Sequence, residues 1–156
     1  MPDVKYLKRI LAPVVAACLT IVGVASATTA CTAANASVNV KGSRVDATVH
    51  DFKIDAPDTV PAGTVTFVVH GTGPMMHEFN VAWTDLGAKD LPLTSGDLVA
   101  DTQDTPHFVH LGEVEGIEMD ATKSLTVHLE AGKTYVLYCN MEGHYMAGMT
   151  KIVTAA

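Results

Sequence analysis

The sequence predicts an all-β domain, a sandwich or barrel of about seven or eight strands. From residue 38 onward, short runs of alternating apolar and polar residues are separated by turn residues, and the runs are rich in β-branched and aromatic side chains. This alternation is typical of strands that bury one face. The chain has 156 residues, 48% of them hydrophobic, so it can form one ordinary core and is too short for two.

The predicted strands follow one another at intervals that suit a sandwich. They comprise residues 45–52, 64–69, 79–83, 108–111, 124–129, 134–139 and 149–153. Residues 56–58 and 61–63 contain proline or glycine and predict turns, and residues 131–133 predict a hairpin turn. Residues 85–106 are polar and lack a clear period, so we expect a long connection there with room for a short helix.

The first residues have the pattern of an export signal. The basic residues Lys5, Lys8 and Arg9 precede an apolar stretch over residues 10–24, and small residues follow at 25–27. This arrangement is typical of a secretory signal peptide. An uncleaved membrane anchor is the alternative, although the apolar run is at the lower limit of the length that spans a bilayer. We therefore predict export to the periplasm, the cell surface or the medium.

Cys31 adds a second way in which the exported chain could begin. The sequence Thr28-Thr29-Ala30-Cys31 is similar to a bacterial lipobox, although threonine replaces the usual aliphatic residue at its first position. A lipidated Cys31, or an uncleaved N-terminal segment, would attach the protein to a membrane. The predicted organisation is a signal peptide over residues 1–27 (or a lipoprotein signal to residue 30), a flexible tether over residues 28–37 and a folded domain over residues 38–156.

The charge of the chain argues against a nucleic-acid partner. The full sequence has 10 basic and 17 acidic residues and a net charge of −7. Cleavage after Ala27 would remove three basic residues and one acidic residue, and the net charge would become −9. Proteins that bind nucleic acids need a basic face to neutralise phosphates, and this composition does not supply one.

The cysteines direct attention to one position. Of the three cysteines, Cys18 lies in the predicted signal peptide and Cys31 on the tether, so Cys139 is alone in the predicted domain. A small exported domain is often stabilised by disulfides, but this one has no second cysteine with which to form one. An unprotected thiol in an oxidising compartment is vulnerable to oxidation. We therefore expect Cys139 to be occupied by a ligand.

The residues around Cys139 are of types that bind soft metal ions. A predicted strand ends at Cys139, His144 follows five residues later, and Met149 follows five residues after that, where another strand begins. Gly143 and Gly148 allow the intervening loop to turn sharply. A thiolate, an imidazole and a thioether can therefore project from one short loop and its two ends.

A further ligand has to come from elsewhere in the chain, and His77 is the best candidate among the other histidines. It follows the irregular, glycine-containing residues 71–76 and precedes a predicted strand, a position at which side chains converge on a binding site. A lone histidine is more often a surface or hydrogen-bonded residue, so the pattern alone leaves this assignment open. Two histidines, one cysteine and a weakly bound methionine form the ligand set of blue-copper electron-transfer sites.

With these residues, the sequence resembles the cupredoxins, the plastocyanin- and azurin-like copper proteins, over residues 38–154. The segment Cys139-Asn-Met-Glu-Gly-His144-Tyr-Met-Ala-Gly-Met149 looks like the C-x4-H-x4-M loop of sulfocyanin-like and related bacterial domains. Tyr135 and the sequence His77-Glu78-Phe79 also fit the family. The resemblance implies a Greek-key β-sandwich that holds one type 1 copper ion at one end.

The resemblance also implies a ligand set and a function. The implied copper ligands are His77, Cys139, His144 and Met149. The implied function is one-electron transfer between Cu(I) and Cu(II), with redox partner proteins that dock near the copper end. A rigid site with three strong ligands and one weak ligand suits both oxidation states, so little rearrangement accompanies electron transfer.

Two features depart from the family pattern. The family often has an asparagine that opens the loop before the first histidine, whereas residues 69–71 here read Val-His-Gly, which puts the usual loop-tightening hydrogen bonds in question. Additional methionines flank both ligand segments, namely Met75, Met76, Met141 and Met146. Most such methionines serve as apolar packing, but Met146 competes with Met149 for the axial position.

The sequence is also compatible with other functions. Extracytoplasmic copper sequestration or delivery is the main alternative, because several thioethers favour Cu(I). An enzyme with Cys139 as nucleophile and His144 as base is not expected, because the sequence supplies no substrate pocket or oxyanion donors. A metal-free interaction module is the third alternative.

Overall fold

The computed structural model describes residues 42–94, 96–101 and 105–156, which include nearly all of the predicted domain. The predicted signal peptide (residues 1–27, or to residue 30), the tether (residues 28–37) and Cys31 lie outside the described residues. Those assignments stay predictions. Within the described part of the chain, no helix is long and apolar enough to cross a membrane.

The described residues form nine strands, and seven of them correspond to predicted strands. The strands are β1 (Ser43–His50), β2 (Lys53–Asp55), β3 (Thr59–Val60), β4 (Gly63–Gly71), β5 (His77–Thr84), β6 (Phe108–Ile117), β7 (Thr122–Leu129), β8 (Thr134–Tyr138) and β9 (Thr150–Ala155). The two additional strands, β2 and β3, contain only 3 and 2 residues. Runs this short are not visible as alternation in a sequence.

The strands pair into two sheets. One sheet has the order β2-β1-β4-β7 and the other the order β3-β9-β8-β5-β6. Neighbours such as β1 and β4, or β5 and β8, are not consecutive in the chain, so their connections cross between the sheets as in a Greek-key sandwich. The predicted all-β Greek-key fold is therefore confirmed.

The main core lies between the two sheets. Val65, Phe67 and Val69 of β4 alternate toward the interior and are fully buried, and the ring of Phe67 lies 5.4 Å from that of Phe79 in the opposite sheet, measured between centroids. Burying an apolar side chain of this size contributes about 1.5–3 kcal/mol relative to exposure. Cys139 and Met149 belong to the same buried cluster, so the main core extends to the end of the sandwich at which these two residues lie.

The connection between β5 and β6 (residues 85–107) contains no helix in its described part, so the expectation of a short helix there was wrong. Instead, Leu93 and Val99 form an antiparallel bridge, and the Ala100 N–H donates to the Pro92 carbonyl at 2.8 Å. Leu91 and Val99 are buried in a second apolar cluster with Phe108, Val136 and Tyr138 of the five-stranded sheet. This second cluster fixes the connection against the outer face of that sheet.

Candidate metal centre

Strand pairing brings three distant parts of the sequence to one end of the sandwich. Tyr138, the last residue of β8, pairs with Asn80 in β5 and with Thr150 in β9, and both pairings are antiparallel. The beginning of β5, the end of β8 and the beginning of β9 therefore lie at the same end. His77 begins β5, and Cys139 directly follows β8.

The imidazoles and the thiol of the predicted site face one another. The ligand atoms of His77, Cys139 and His144 all lie within 4.8 Å of one another, and all three residues are buried. The Cys139 Sγ lies 3.3 Å from the His144 Nδ1, and the two imidazole ring centroids are 5.1 Å apart. This arrangement can surround a single metal ion.

The hydrogen bonding of His77 fits a metal ligand. Its side chain is fully buried, and neither ring nitrogen has a hydrogen-bond partner among the described residues. The carboxylate of Asp51 lies nearby, with its Oδ1 3.8 Å from the His77 Nε2. Leaving a buried polar group unsatisfied costs about 1–3 kcal/mol, and coordination of a metal ion would remove that cost. The donor atoms present therefore fit a thiophilic metal ion.

The electrostatics of the site disfavour the charged forms of the His77 imidazole and the Cys139 thiol when no metal is bound. Burial lowers the pKa of His77, the neighbouring His144 lowers it further, and Asp51 acts in the opposite direction. Burial raises the pKa of the Cys139 thiol, while the N–H of Glu78, which donates to Sγ at 3.3 Å, favours the thiolate. A bound cation would favour the thiolate strongly, so metal binding would release a proton from Cys139.

Burial distinguishes Met149 from Met146. Met149 is fully buried, its N–H donates to the His144 carbonyl at 3.0 Å, and its own carbonyl accepts the Cys139 N–H at 3.2 Å. The side chain of Met146 is 56% exposed. The interior position of Met149 therefore favours it over Met146 as the fourth ligand.

The loop between Cys139 and Met149 is held by its own backbone hydrogen bonds. The His144 N–H donates to the Met141 carbonyl at 2.9 Å, and the Ala147 N–H donates to the Gly143 carbonyl at 2.9 Å. Gly143 and Gly148 have φ values of 77° and 93°, a region that side chains other than glycine rarely adopt. The glycines of the motif are therefore required by the path of the loop.

The turn between β1 and β2 contributes contacts that the sequence did not predict. Phe52 has a φ of 58°, and the centroid of its ring lies 5.3 Å from that of His144 in an edge-on arrangement. Asp51 in the same turn places its Oδ1 3.8 Å from the His77 Nε2. No local pattern identifies these two residues, because their contacts depend on which strand ends meet in the folded sheet.

No protein-family model matches the sequence, and no curated protein matches it. Several solved structures of other proteins are similar to the structure of this chain. Sodium-dithionite-reduced auracyanin from the photosynthetic bacterium Roseiflexus castenholzii has a TM-score of 0.52 at 19% identity, over 74% of this chain and 98% of that chain. Auracyanin B also has a TM-score of 0.52, at 18% identity, over 73% of this chain and 88% of that chain. Auracyanins are cupredoxins, and the chain has the cupredoxin fold, as the resemblance implied.

Proposed function

We propose that this protein binds one type 1 copper ion through His77, Cys139, His144 and Met149 and transfers single electrons. The observation that supports the proposal best is the buried group of His77, Cys139 and His144, whose ligand atoms lie within 4.8 Å of one another. A copper ion bound there would alternate between Cu(I) and Cu(II). Sulfur ligands suit the reduced state and imidazoles the oxidised state, so this donor set fits both.

The protein's own contribution is to hold these donors in one arrangement. His77 and Cys139 lie at the ends of paired strands, and the N–H of Glu78 donates to the Cys139 Sγ at 3.3 Å. Hydrogen bonds to a coordinated sulfur and the burial of the site are among the factors that set the potential of a copper–thiolate centre. A rigid and dry site keeps the rearrangement between oxidation states small.

We further propose that redox partner proteins dock at the end of the sandwich where His144 lies. His144 is 4% exposed, and its neighbour Phe52 is 46% exposed. Exposed methionines, namely Met75, Met76 and Met146, precede His77 and follow His144 in the sequence. Exposed apolar side chains that flank both ligand histidines in the sequence would offer a partner apolar contact area. Docking at this end of the sandwich would bring a partner's redox centre close to the His144 ring.

The test of the proposal is reconstitution with Cu(II). We expect one copper ion per chain, an intense blue absorption from the thiolate–copper bond and reversible bleaching by a mild reductant. Cys139→Ser should abolish the blue colour, whereas Met146→Leu should keep it, since Met146 is exposed. Failure to bind copper, or a blue Cys139→Ser variant, would overturn the proposal.

Copper delivery is the second candidate, and the exposed thioethers of Met75, Met76 and Met146 favour it. The reduced protein distinguishes the two functions. Retention of Cu(I) against a chelator through repeated redox cycles supports electron transfer. Stoichiometric release of Cu(I) on reduction supports delivery.

Export and membrane attachment are proposals that a separate measurement can test. The mass of the protein recovered from cells distinguishes cleavage after Ala27 from lipidation of Cys31 and from an uncleaved chain. We expect the cleaved chain in the soluble extracytoplasmic fraction, and the lipidated or uncleaved chain in the membrane fraction with its folded domain outside the cytoplasm.

A further inference from the structure

Asn140, the residue directly after the thiol, is bound on both sides of its amide to the β5–β6 connection. Its Oδ1 accepts the Val99 N–H at 2.7 Å, and its Nδ2 donates to the Val99 carbonyl at 3.1 Å. The same Nδ2 donates to the Asp101 Oδ2 at 2.7 Å. A planar amide that uses both its donor and its acceptor on one backbone residue is fixed in orientation.

Tyr145, the residue directly after the second histidine, is attached to the same connection. Its hydroxyl accepts the Leu91 N–H at 3.0 Å, and its side chain is only 5% exposed. The ring packs in the second apolar cluster, and its centroid is 6.5 Å from that of Tyr138 in an edge-on arrangement. The neighbours of Cys139 and His144 in the sequence are therefore held by Leu91, Val99 and Asp101 of this connection.

The described residues of the connection that hold Asn140 and Tyr145 are themselves packed and hydrogen-bonded, so they can serve as a support. Leu91 and Val99 are 4% and 1% exposed, because they pack on the outer face of the five-stranded sheet. The Thr94 N–H donates to the Leu98 carbonyl at 2.8 Å, and the Thr84 hydroxyl donates to the His107 carbonyl at 2.8 Å. These bonds close the hairpin at residues 92–100 and tie the end of the connection to β5.

We propose that the β5–β6 connection acts as a clamp, which means that it holds the ligand loop (residues 139–149) from outside. Asn140 and Tyr145 are then positioning residues for Cys139 and His144. Residues 69–71 read Val-His-Gly and offer no asparagine side chain to the segment before the first ligand histidine. The clamp restrains the ligand loop from a different part of the chain. The effects that we expect on the copper-loaded protein rest on the proposed function. The clamp itself is a property of the protein without metal.

The clamp is tested first by hydrogen exchange on the full chain without copper. Asn140→Ala removes three hydrogen bonds, and Tyr145→Phe removes one while keeping the packed ring. We expect the loop amides of His144, Ala147 and Met149 to exchange about tenfold faster in each variant, as the loss of about 1.4 kcal/mol of local stability implies. Amides in β4 should be little affected.

The matched control is Thr66→Val, which removes the 2.8 Å hydrogen bond between the Thr66 and Thr126 hydroxyls on the four-stranded sheet. This variant should leave the loop amides unchanged. Equal acceleration of loop and β4 amides in Asn140→Ala and Tyr145→Phe would show a purely global loss of stability and would overturn the clamp.

A donor–acceptor exchange tests the orientation of the Asn140 amide. Asn140→Asp places a carboxylate oxygen against the Val99 carbonyl and Asp101, so loop exchange should be at least as fast as in Asn140→Ala. Adding Asp101→Asn supplies a donor to that carboxylate and should partly restore protection. Absence of any restoration would contradict the role of Asn140 in the clamp.

Measurements on the copper-loaded protein distinguish a positioning role of Asn140 from a role in overall stability alone. Loosening of the loop should lower the electron self-exchange rate of Asn140→Ala and broaden the Cu(II) EPR spectrum, whereas Thr66→Val should change neither. A wild-type chain that binds no copper would refute the proposed function and leave the exchange result intact. Unchanged loop exchange in a chain that binds copper would refute the clamp alone.

Discussion

The two histidines of the candidate site are held in different ways. His77 begins β5 and pairs with Ile117 of β6, so its backbone is part of the sheet. His144 lies in a loop outside the strands, where its position depends on internal backbone bonds and on the attachments of Asn140 and Tyr145. One ligand is therefore fixed by sheet pairing and the other by local turns and a clamp. Substitutions that disturb one support should leave the other largely intact.

The largest effect is expected at Met149, which joins the loop to the core. Met149→Ala removes a fully buried side chain and should lower the free energy of unfolding of the copper-free protein by about 2–5 kcal/mol. Met146→Ala, at a position 56% exposed, should change it by no more than about 0.5 kcal/mol. Urea unfolding measures both values. Similar losses for the two variants would mean that the loop is packed differently.

A smaller loss of stability is expected at Gly71, which ends β4 and begins the segment that leads to His77. A Cβ at Gly71 would overlap the Glu118 carbonyl oxygen, which is a backbone atom that cannot move away easily. Gly71→Ala should therefore destabilise the copper-free protein by about 1–3 kcal/mol. The exchange rates of the loop amides of His144 and Met149 should rise no more than those of other core amides.

Gly96→Ala is the matched control for Gly71→Ala. A Cβ at Gly96 meets no atom within 4 Å, so this substitution should be close to neutral in urea unfolding. A neutral Gly71→Ala would show that β4 and the turn after β6 are less closely packed than the structure indicates.

The smallest effect is a dependence of stability on pH that originates at His77. Its pKa in the folded protein is lowered from 6.5 by burial and by His144, so the unfolded chain takes up the proton first as the pH falls. The free energy of unfolding of the copper-free protein should therefore decrease as the pH falls through about 6.5, and His77 should contribute no change above about pH 7.5. Urea midpoints at pH 7.5 and 5.5 measure this decrease.

Two variants isolate the contribution of His77 from those of the other histidines. His77→Gln removes the proton-binding group, so its stability should fall less between pH 7.5 and 5.5 than that of the wild type. Asp51→Asn removes the charge that raises the pKa of His77, so its stability should fall more. The opposite order would show that His77 is protonated in the folded state.

Much of the fold could be predicted because its strands are long enough to show alternation. Seven of the strands were found from the period of two, and the turn at residues 131–133 joins β7 to β8 as predicted. The strand predicted at 108–111 continues to Ile117, because β6 passes through Gly112 and Gly116, which conceal its alternation. The short β2 and β3 and the hairpin at residues 92–100 left no such pattern.

The sequence by itself determined the ligand types and their local spacing. Cys139, His144 and Met149 lie within one loop, and Gly143 and Gly148 permit its turns, so chain connectivity alone keeps these three side chains near one another. Only the tertiary structure decided that His77 joins them, because its position depends on pairing between β5 and β8. It also decided that Met149 is buried while Met146 is exposed, and that Asn140 and Tyr145 are bound by the β5–β6 connection. Such contacts join residues far apart in the chain, and their energies depend on how the sheets pack, which no local pattern records.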